Sequence, residues 1–131
     1  MPRELSLAVV GAQYPNKRGP TRAFGIAMCR PGDPIELRPE PKNPADERAV
    51  AVFTADNIQI GYITAERAPY IGGIIKAGRE VRTIFQAPTQ WGAIVRCAFD
   101  GASPSLPARR PAAAPADFDD IDQTPPAGWD I

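Results

Sequence analysis

Histidine is missing from this 131-residue chain, and cysteine occurs only twice, as Cys29 and Cys97. A structural zinc site takes four nitrogen or sulfur ligands, so one copy of the chain cannot assemble it, and a histidine general base is excluded by the same composition. A Gly-rich Lys-Ser/Thr phosphate loop is also lacking, as is any pair of carboxylates whose spacing marks a metal site. These absences point away from an enzyme and away from a metal or other cofactor. Long apolar runs are missing too: Arg, Pro or Gly interrupts each stretch well before the roughly eighteen residues of a membrane span. After Met1 the polar Pro2-Arg3-Glu4 makes no secretory h-region, so the thiols are expected to stay reduced and the protein to be cytoplasmic.

What is present is an ordinary apolar share of 44% and an unusual sixteen prolines, about twice the usual frequency. The length suits one domain with one flexible segment. Charge balances overall at fifteen cations and fifteen anions, but it is unevenly placed. Residues 1–100 hold thirteen Lys/Arg against ten Asp/Glu, and the remainder holds two against five. A basic body is attracted to phosphate and an acidic tail is repelled by it, an arrangement that recurs in proteins that meet nucleic acid.

Leu5 to Val10 is an apolar run ended by Gly11, as in a buried strand entering a turn. A loop rich in turn formers follows, and Arg22 to Met28 reads as a second strand of mixed polarity, expected to pair with the first. Pro31-Gly32-Asp33 is a turn, and Ile35 to Arg38 alternates as a half-buried strand does. The polar connection Glu40 to Arg48 leads into the apolar run Ala49 to Phe53, with Asp46 placed to cap a single helical turn. Asp56-Asn57 is a hairpin turn into Ile58 to Ile63, where Ile58, Ile60 and Tyr62 are expected on one face. Thr64 can cap a helix reaching about Ala77, with Ala68, Ile71, Ile74 and Ile75 on one stripe and Gly78 as the stop. Pro69 either kinks this helix or marks its true first turn after a short preliminary one. Strands at Glu80 to Gln86 and Ala93 to Phe99 complete the series. Six or seven short strands with one principal helix predict a mainly β fold, a small OB-like or SH3-like barrel.

The barrel is expected to occupy residues 1–100 and a disordered tail residues 101–131, since Pro, Ala, Ser and Arg109-Arg110 dominate the tail's first half. Asp117-Phe118-Asp119-Asp120-Ile121-Asp122 then sets bulky apolar residues among carboxylates, a composition suited to a docking peptide. It looks like the acidic tip of bacterial single-stranded DNA-binding proteins, although Gln123 to Ile131 follow it where that tip would end. Such a peptide would recruit repair or replication proteins, or fold back over the basic body.

Five separated blocks occur in order: Val9-Val10-Gly11-x-x-Tyr14, Gly32-Asp33-x-Ile35-x-Leu37, Glu40-Pro41-x-Asn43-Pro44-x-Asp46-x-x-Ala49-Val50-x-Val52, Ile60-Gly61-Tyr62-Ile63, and Ala68. Together they resemble the HIRAN domain across residues 5–100. That family occurs at the N-terminus of SNF2-type remodelling ATPases and as short stand-alone proteins of bacteria and phages, and this chain looks like the second kind. The resemblance implies an OB-like barrel with helical insertions. It also implies a groove that takes the 3′ end of single-stranded DNA, stacking bases on aromatic rings and gripping the free 3′-hydroxyl. A setting in DNA repair or replication-fork processing would follow.

By position, Tyr14 matches a base-stacking tyrosine and Asp46 the aspartate that accepts from the terminal hydroxyl. Gln13 stands where the remodellers carry arginine, Ala45 where a tyrosine normally precedes the aspartate, and Ala65 where a lysine begins the family's helix. Trp91 falls near an aromatic that the family presents between its last two strands. Lys17, Arg18, Arg22, Lys42 and Arg48 are the cations available for phosphate, and Asn43 lies within the Asp46 block. A carboxylate beside a polyanion is costly unless it receives a hydrogen bond, so Asp46 favours a strand's hydroxyl end over its middle.

Each of these residues has a plainer reading. Asp46 can be a cap, Tyr14 can pack its turn against Pro15, and Trp91 can plug the barrel with its indole N–H on a carbonyl. Two functions therefore stand: a single-stranded DNA-end binding module, expected to be a monomer, or a non-enzymatic adaptor that keeps the fold and binds protein instead.

Overall fold

Leu7 and Val9 alternate with Ser6 and Ala8, which gives the first strand one buried and one outward face. In the computed structural model, which describes residues 4–107, that strand is one of six. The elements run β1 (Glu4–Val10), α1 (Arg22–Met28), β2 (Pro34–Pro39), β3 (Val50–Thr54), β4 (Gln59–Ile63), α2 (Ala68–Lys76), β5 (Val81–Pro88) and β6 (Ala93–Phe99). The strands close into an antiparallel barrel in the order β1-β4-β3-β2-β5-β6. Closure removes the free edges that would otherwise invite pairing with another chain.

The interior is filled from every strand. Leu7, Val9, Val50, Val52, Ile60, Phe85, Val95 and Cys97 are each at most 2% exposed. Helix α2 adds the predicted stripe of Ala68, Ile71 and Ile74 to the same core, with Ile75 at its margin. Both cysteines are free: Cys97 lies in the core beside the Thr83 hydroxyl at 3.2 Å, and Cys29 is half-buried. Burial pushes the Cys97 thiol up to about 11, which leaves it protonated and unreactive at neutral pH.

Two expectations fail at α1. Arg22 to Met28 is a helix, and the partners of β1 are β4 and β6. The Thr21 hydroxyl accepts from the Phe24 amide at 3.0 Å and starts the helix. Gly25 then lets it lie flat on β4, because a Cβ there would come within 2.7 Å of Ile58 and 2.9 Å of Ile60. Glycine lowers helix propensity, and here packing overrides that local preference. The structure thus has two helices where one principal helix was expected.

The second helix begins later than Thr64. The Thr64 carbonyl accepts from Arg67 and Ala68 in a preliminary turn, and α2 starts at Ala68 with Pro69 in its first turn. Gly78, at φ +85, ends it. No helical turn follows Asp46; its carboxylate and carbonyl accept from Arg48 at 2.8 Å and Ala49 at 3.0 Å, which makes a β-turn into β3. In β4, a register shift opposite Val52 and Phe53 breaks simple alternation, so Ile60 and Gly61 are both buried.

Gly61 is the tightest point of the β1–β4 seam. Its φ is +150, and a Cβ would strike the Val10 carbonyl oxygen, so only glycine allows the strands to meet. Beyond β6 the chain has no helix or strand through residue 107, yet Ser105 stays attached to the barrel. Its amide donates to Glu4 Oε1 at 2.9 Å, and Arg96 Nε reaches the same oxygen at 3.1 Å. The expectations for the acidic peptide at 117–122 lie outside the described residues.

Gly61→Ala is expected to cost roughly 2–5 kcal/mol, the sum of overpacking and of strain at positive φ, measured by urea unfolding. The Ser105 amide, and after it Arg96, hold the Glu4 carboxyl below its ordinary range. A carboxylate whose folded pKa is depressed adds stability above the unfolded value and loses it as pH falls through the folded one. Glu4→Gln should therefore destabilise the barrel at pH 7, with the difference from the parent shrinking in acid; a difference that stays constant down to pH 3 would count against the Glu4 contacts.

Candidate nucleic-acid interface

Tyr62 is in register with Val10 on one side and Ala51 on the other, and Ala51 with Arg38. The loop bearing Tyr14 leaves β1 immediately after Val10, and the turn bearing Asp46 enters β3 immediately before Val50. The two sequence blocks are far apart along the chain, and strand order alone brings them to either side of β4.

The first loop turns at once. Gly11, at φ +90, accepts from the Tyr14 amide at 3.1 Å. This turn keeps the Tyr14 ring out of the core, where it is 53% exposed, with Gln13 exposed beside it. The loop is pinned by Arg22, only 8% exposed at the start of α1. Its Nη1 donates to the Gly11 carbonyl at 3.0 Å and its Nε to Asn16 Oδ1 at 2.8 Å. Asn16 Nδ2 in turn donates to the Pro20 and Gln59 carbonyls, both at 3.0 Å. The guanidinium also lies 5.5 Å from the centroid of the Tyr62 ring.

The second loop is tied at its base by the Glu40 amide on the Ala49 carbonyl at 2.9 Å. Asn43 builds its interior: Oδ1 accepts from the amides of Ala45 at 2.8 Å and Asp46 at 3.2 Å, and Nδ2 donates to Glu40 Oε1 at 2.9 Å. The Asp46 carboxylate is exposed, and among the described residues only its Oδ1 is engaged, which leaves Oδ2 open to a ligand's donor. Lys42, Ala45 and Arg48 are exposed around it.

Tyr62 joins the two loops. Its hydroxyl donates to Glu40 Oε1 at 2.8 Å while its ring faces Arg22. Partial burial pushes the phenol above its ordinary value, and the Glu40 carboxylate adds to that, so it remains a donor at neutral pH. A continuous chain of contacts thus runs from the Tyr14 turn through Gly11, Arg22, Tyr62, Glu40 and Asn43 to the Asp46 turn.

Other expected residues fall differently. Arg22, read as a cation for phosphate, is committed to the protein's own carbonyl, amide and ring. Asn43 shapes its loop, with both side-chain termini engaged. Lys17 and Arg18 are exposed beyond Asn16 and line a cleft with the β3–β4 hairpin. Trp91 is half-buried at the β5–β6 turn, and its indole Nε1 is buried with no partner among the described residues, so the expected bond to a carbonyl is not made. Ala65 is exposed and brings no charge. Sequence reasoning missed the linking roles of Asn16, Glu40 and Tyr62. Glu40 and Tyr62 lay inside the matching blocks, but nothing in the spacing showed that they touch.

A match to the HIRAN domain family covers residues 3–89. Among solved structures, the chain is similar to the HIRAN domain of human HLTF, with a TM-score of 0.61 and 19% identity, covering 73% of this chain and 74% of that one. It is also similar to a protein from Lactobacillus plantarum, with a TM-score of 0.55 and 20% identity, covering 72% of this chain and 98% of that one. At these identities the likeness is one of fold. None of the curated proteins matches the chain.

If Arg22 holds the loop, Arg22→Met should keep the stem packing and lose the hydrogen bonds. A stability loss of about 1–3 kcal/mol is expected from the acceptors left unpaired. Amide exchange at residues 12–21 should accelerate at the same time; unchanged protection of the Tyr14 amide would show that the loop stands without Arg22.

Proposed function

The chain belongs to the HIRAN family, and from that premise we propose that it is a single-stranded DNA-binding module that captures 3′-hydroxyl ends. The observation that carries this reading is the pairing of an exposed aromatic ring with a carboxylate that has one oxygen unengaged, on two loops tethered to the same tyrosine. Tyr14 supplies a face for the last base, and Asp46 accepts from the terminal hydroxyl. Lys42 and Arg48, exposed near Asp46, are suited to the adjacent phosphate. A phosphate at the strand's end would instead set two negative groups together. The protein acts without catalysis, as a cytoplasmic monomer in repair or replication-fork processing, and its acidic peptide at 117–122 recruits partner proteins.

A second reading, a protein-binding adaptor, is favoured by α1. Phe24 is 49% and Met28 61% exposed on that helix, while Gln13 and Ala45 bring neither charge nor ring to the Tyr14–Asp46 face.

Fluorescence anisotropy with a short labelled oligonucleotide separates the two. The 3′-hydroxyl form should bind more tightly than the 3′-phosphate form, and Asp46→Asn should narrow that preference. Tyr14→Ala should weaken binding by roughly five- to 150-fold, the equivalent of one stacked base. Equal affinity for the two ends would remove terminal-hydroxyl recognition. Absence of any binding at low salt, together with a stable protein partner in pull-down, would favour the adaptor.

A further inference from the structure

A second concavity, of about 490 Å3, lies on the other side of the Asn16 partition, between Asn16–Pro20 and the outer side of the β3–β4 hairpin. It is an open cleft and not an enclosed cavity. The loop wall carries Lys17 and Arg18, both exposed, and among the described residues neither joins an ion pair. Phe53 lines the cleft and is half-buried, with the Arg38 guanidinium carbon 3.8 Å from its ring centroid. That guanidinium is itself held by Glu36 at 2.9 Å and by the Asn57 side-chain oxygen, so ring and cation form a fixed platform. Asp56 and Asn57 make the hairpin wall, and Asn57, bonded through its oxygen, keeps its amide hydrogens for a ligand.

The cleft and the Tyr14 turn share a support. Arg22 grips Gly11 with one nitrogen and Asn16 with another, and Asn16 is fastened to Gln59 on the hairpin. Tyr14 precedes this fastening point in the chain and the two free cations follow it. A strand whose end lies at Tyr14 and Asp46 therefore has a cationic, aromatic-lined cleft next along the same loop.

We propose that this cleft is a second nucleotide subsite, taking a nucleotide upstream of the terminal one on the same strand; the proposal rests on the DNA-end reading above. Lys17 and Arg18 hold the phosphate, and Phe53 supplies the apolar surface for the base. Asp56 keeps phosphate off the hairpin side and is matched to the exocyclic amine of a base, while the Asn57 amide is matched to a base carbonyl. Phosphate and base thus have opposite walls, which sets the orientation of the nucleotide.

The test compares a 5′-labelled single deoxycytidine nucleotide with a 5′-labelled oligodeoxycytidine of eight residues, each ending in a 3′-hydroxyl, bound to the full chain. The parent protein should bind the longer one at least about tenfold more tightly. Lys17→Gln with Arg18→Gln should collapse that length-dependent gain and make the salt dependence for the eight-residue strand shallower by about 0.7 in log–log slope, one phosphate's worth. Phe53→Leu, which keeps apolar bulk, should reduce the gain without changing the salt slope. Length-independent binding by the parent, or equal losses for both probes in the variants, would overturn the second subsite and leave the 3′-end reading standing. Failure of the parent to bind either probe would overturn both.

Discussion

A guanidinium withdrawn from water must use its hydrogens, because an unpaired buried charge costs several kcal/mol. Arg22 meets that requirement with partners from three different parts of the chain: the Gly11 carbonyl at the end of β1, the Asn16 side chain in the following loop, and the Tyr62 ring on β4. Loop 11–21 has no helix or strand of its own, so these bonds are what give it a defined path. Everything presented by the loop, Tyr14 on one side of Asn16 and the Lys17–Arg18 pair on the other, inherits its position from that one buried cation.

The barrel supplies the frame in which such a bond is possible. Consecutive strands are not always neighbours here, since β1 sits between β4 and β6. Insertion of β4 between β1 and β3 sets the Tyr14 loop on one side of Tyr62 and the Asp46 turn on the other, and α1 packs against Ile58 and Ile60. Glycine is required at both contacts: Gly61 lets β4 approach the Val10 carbonyl, and Gly25 lets α1 approach Ile58 and Ile60. Side chains at those points would push apart the elements that carry the interface.

Short apolar runs and one alternating segment made most strands legible. β6 runs over the predicted Ala93–Phe99, and β1, β2 and β3 fall within a residue or so of their expected bounds, because β1 and β3 are apolar runs bounded by turn or polar residues and β2 alternates. β4 was found but its faces were not, since a register shift changes which side Ile60 faces, and a bulge leaves no mark in a single sequence. α1 was misread because a seven-residue segment with exposed Phe24 and Met28 has no clean period of either kind, and its buried positions are set by what lies beneath it. Among site residues, Tyr14 and Asp46 could be singled out by their place in the family blocks. Glu40 and Tyr62 lay in those blocks as well, but their bond spans 22 positions and depends on β3 and β4 pairing.

Residue order and type alone determined the class of fold, the buried set of most strands, a supply of only two of the four nitrogen or sulfur ligands of a structural zinc site and the places where an aromatic ring and a carboxylate were available. These follow from local patterns and from an inventory of functional groups, both of which are read along the chain. Tertiary structure alone decided that Arg22 is a buried fastener instead of a phosphate contact, that Trp91 makes no indole hydrogen bond among the described residues, and that Phe53 meets Lys17 and Arg18 across one cleft. Those outcomes depend on which strands become neighbours when the sheet closes on itself, and closure is a property of the whole barrel that no short segment encodes.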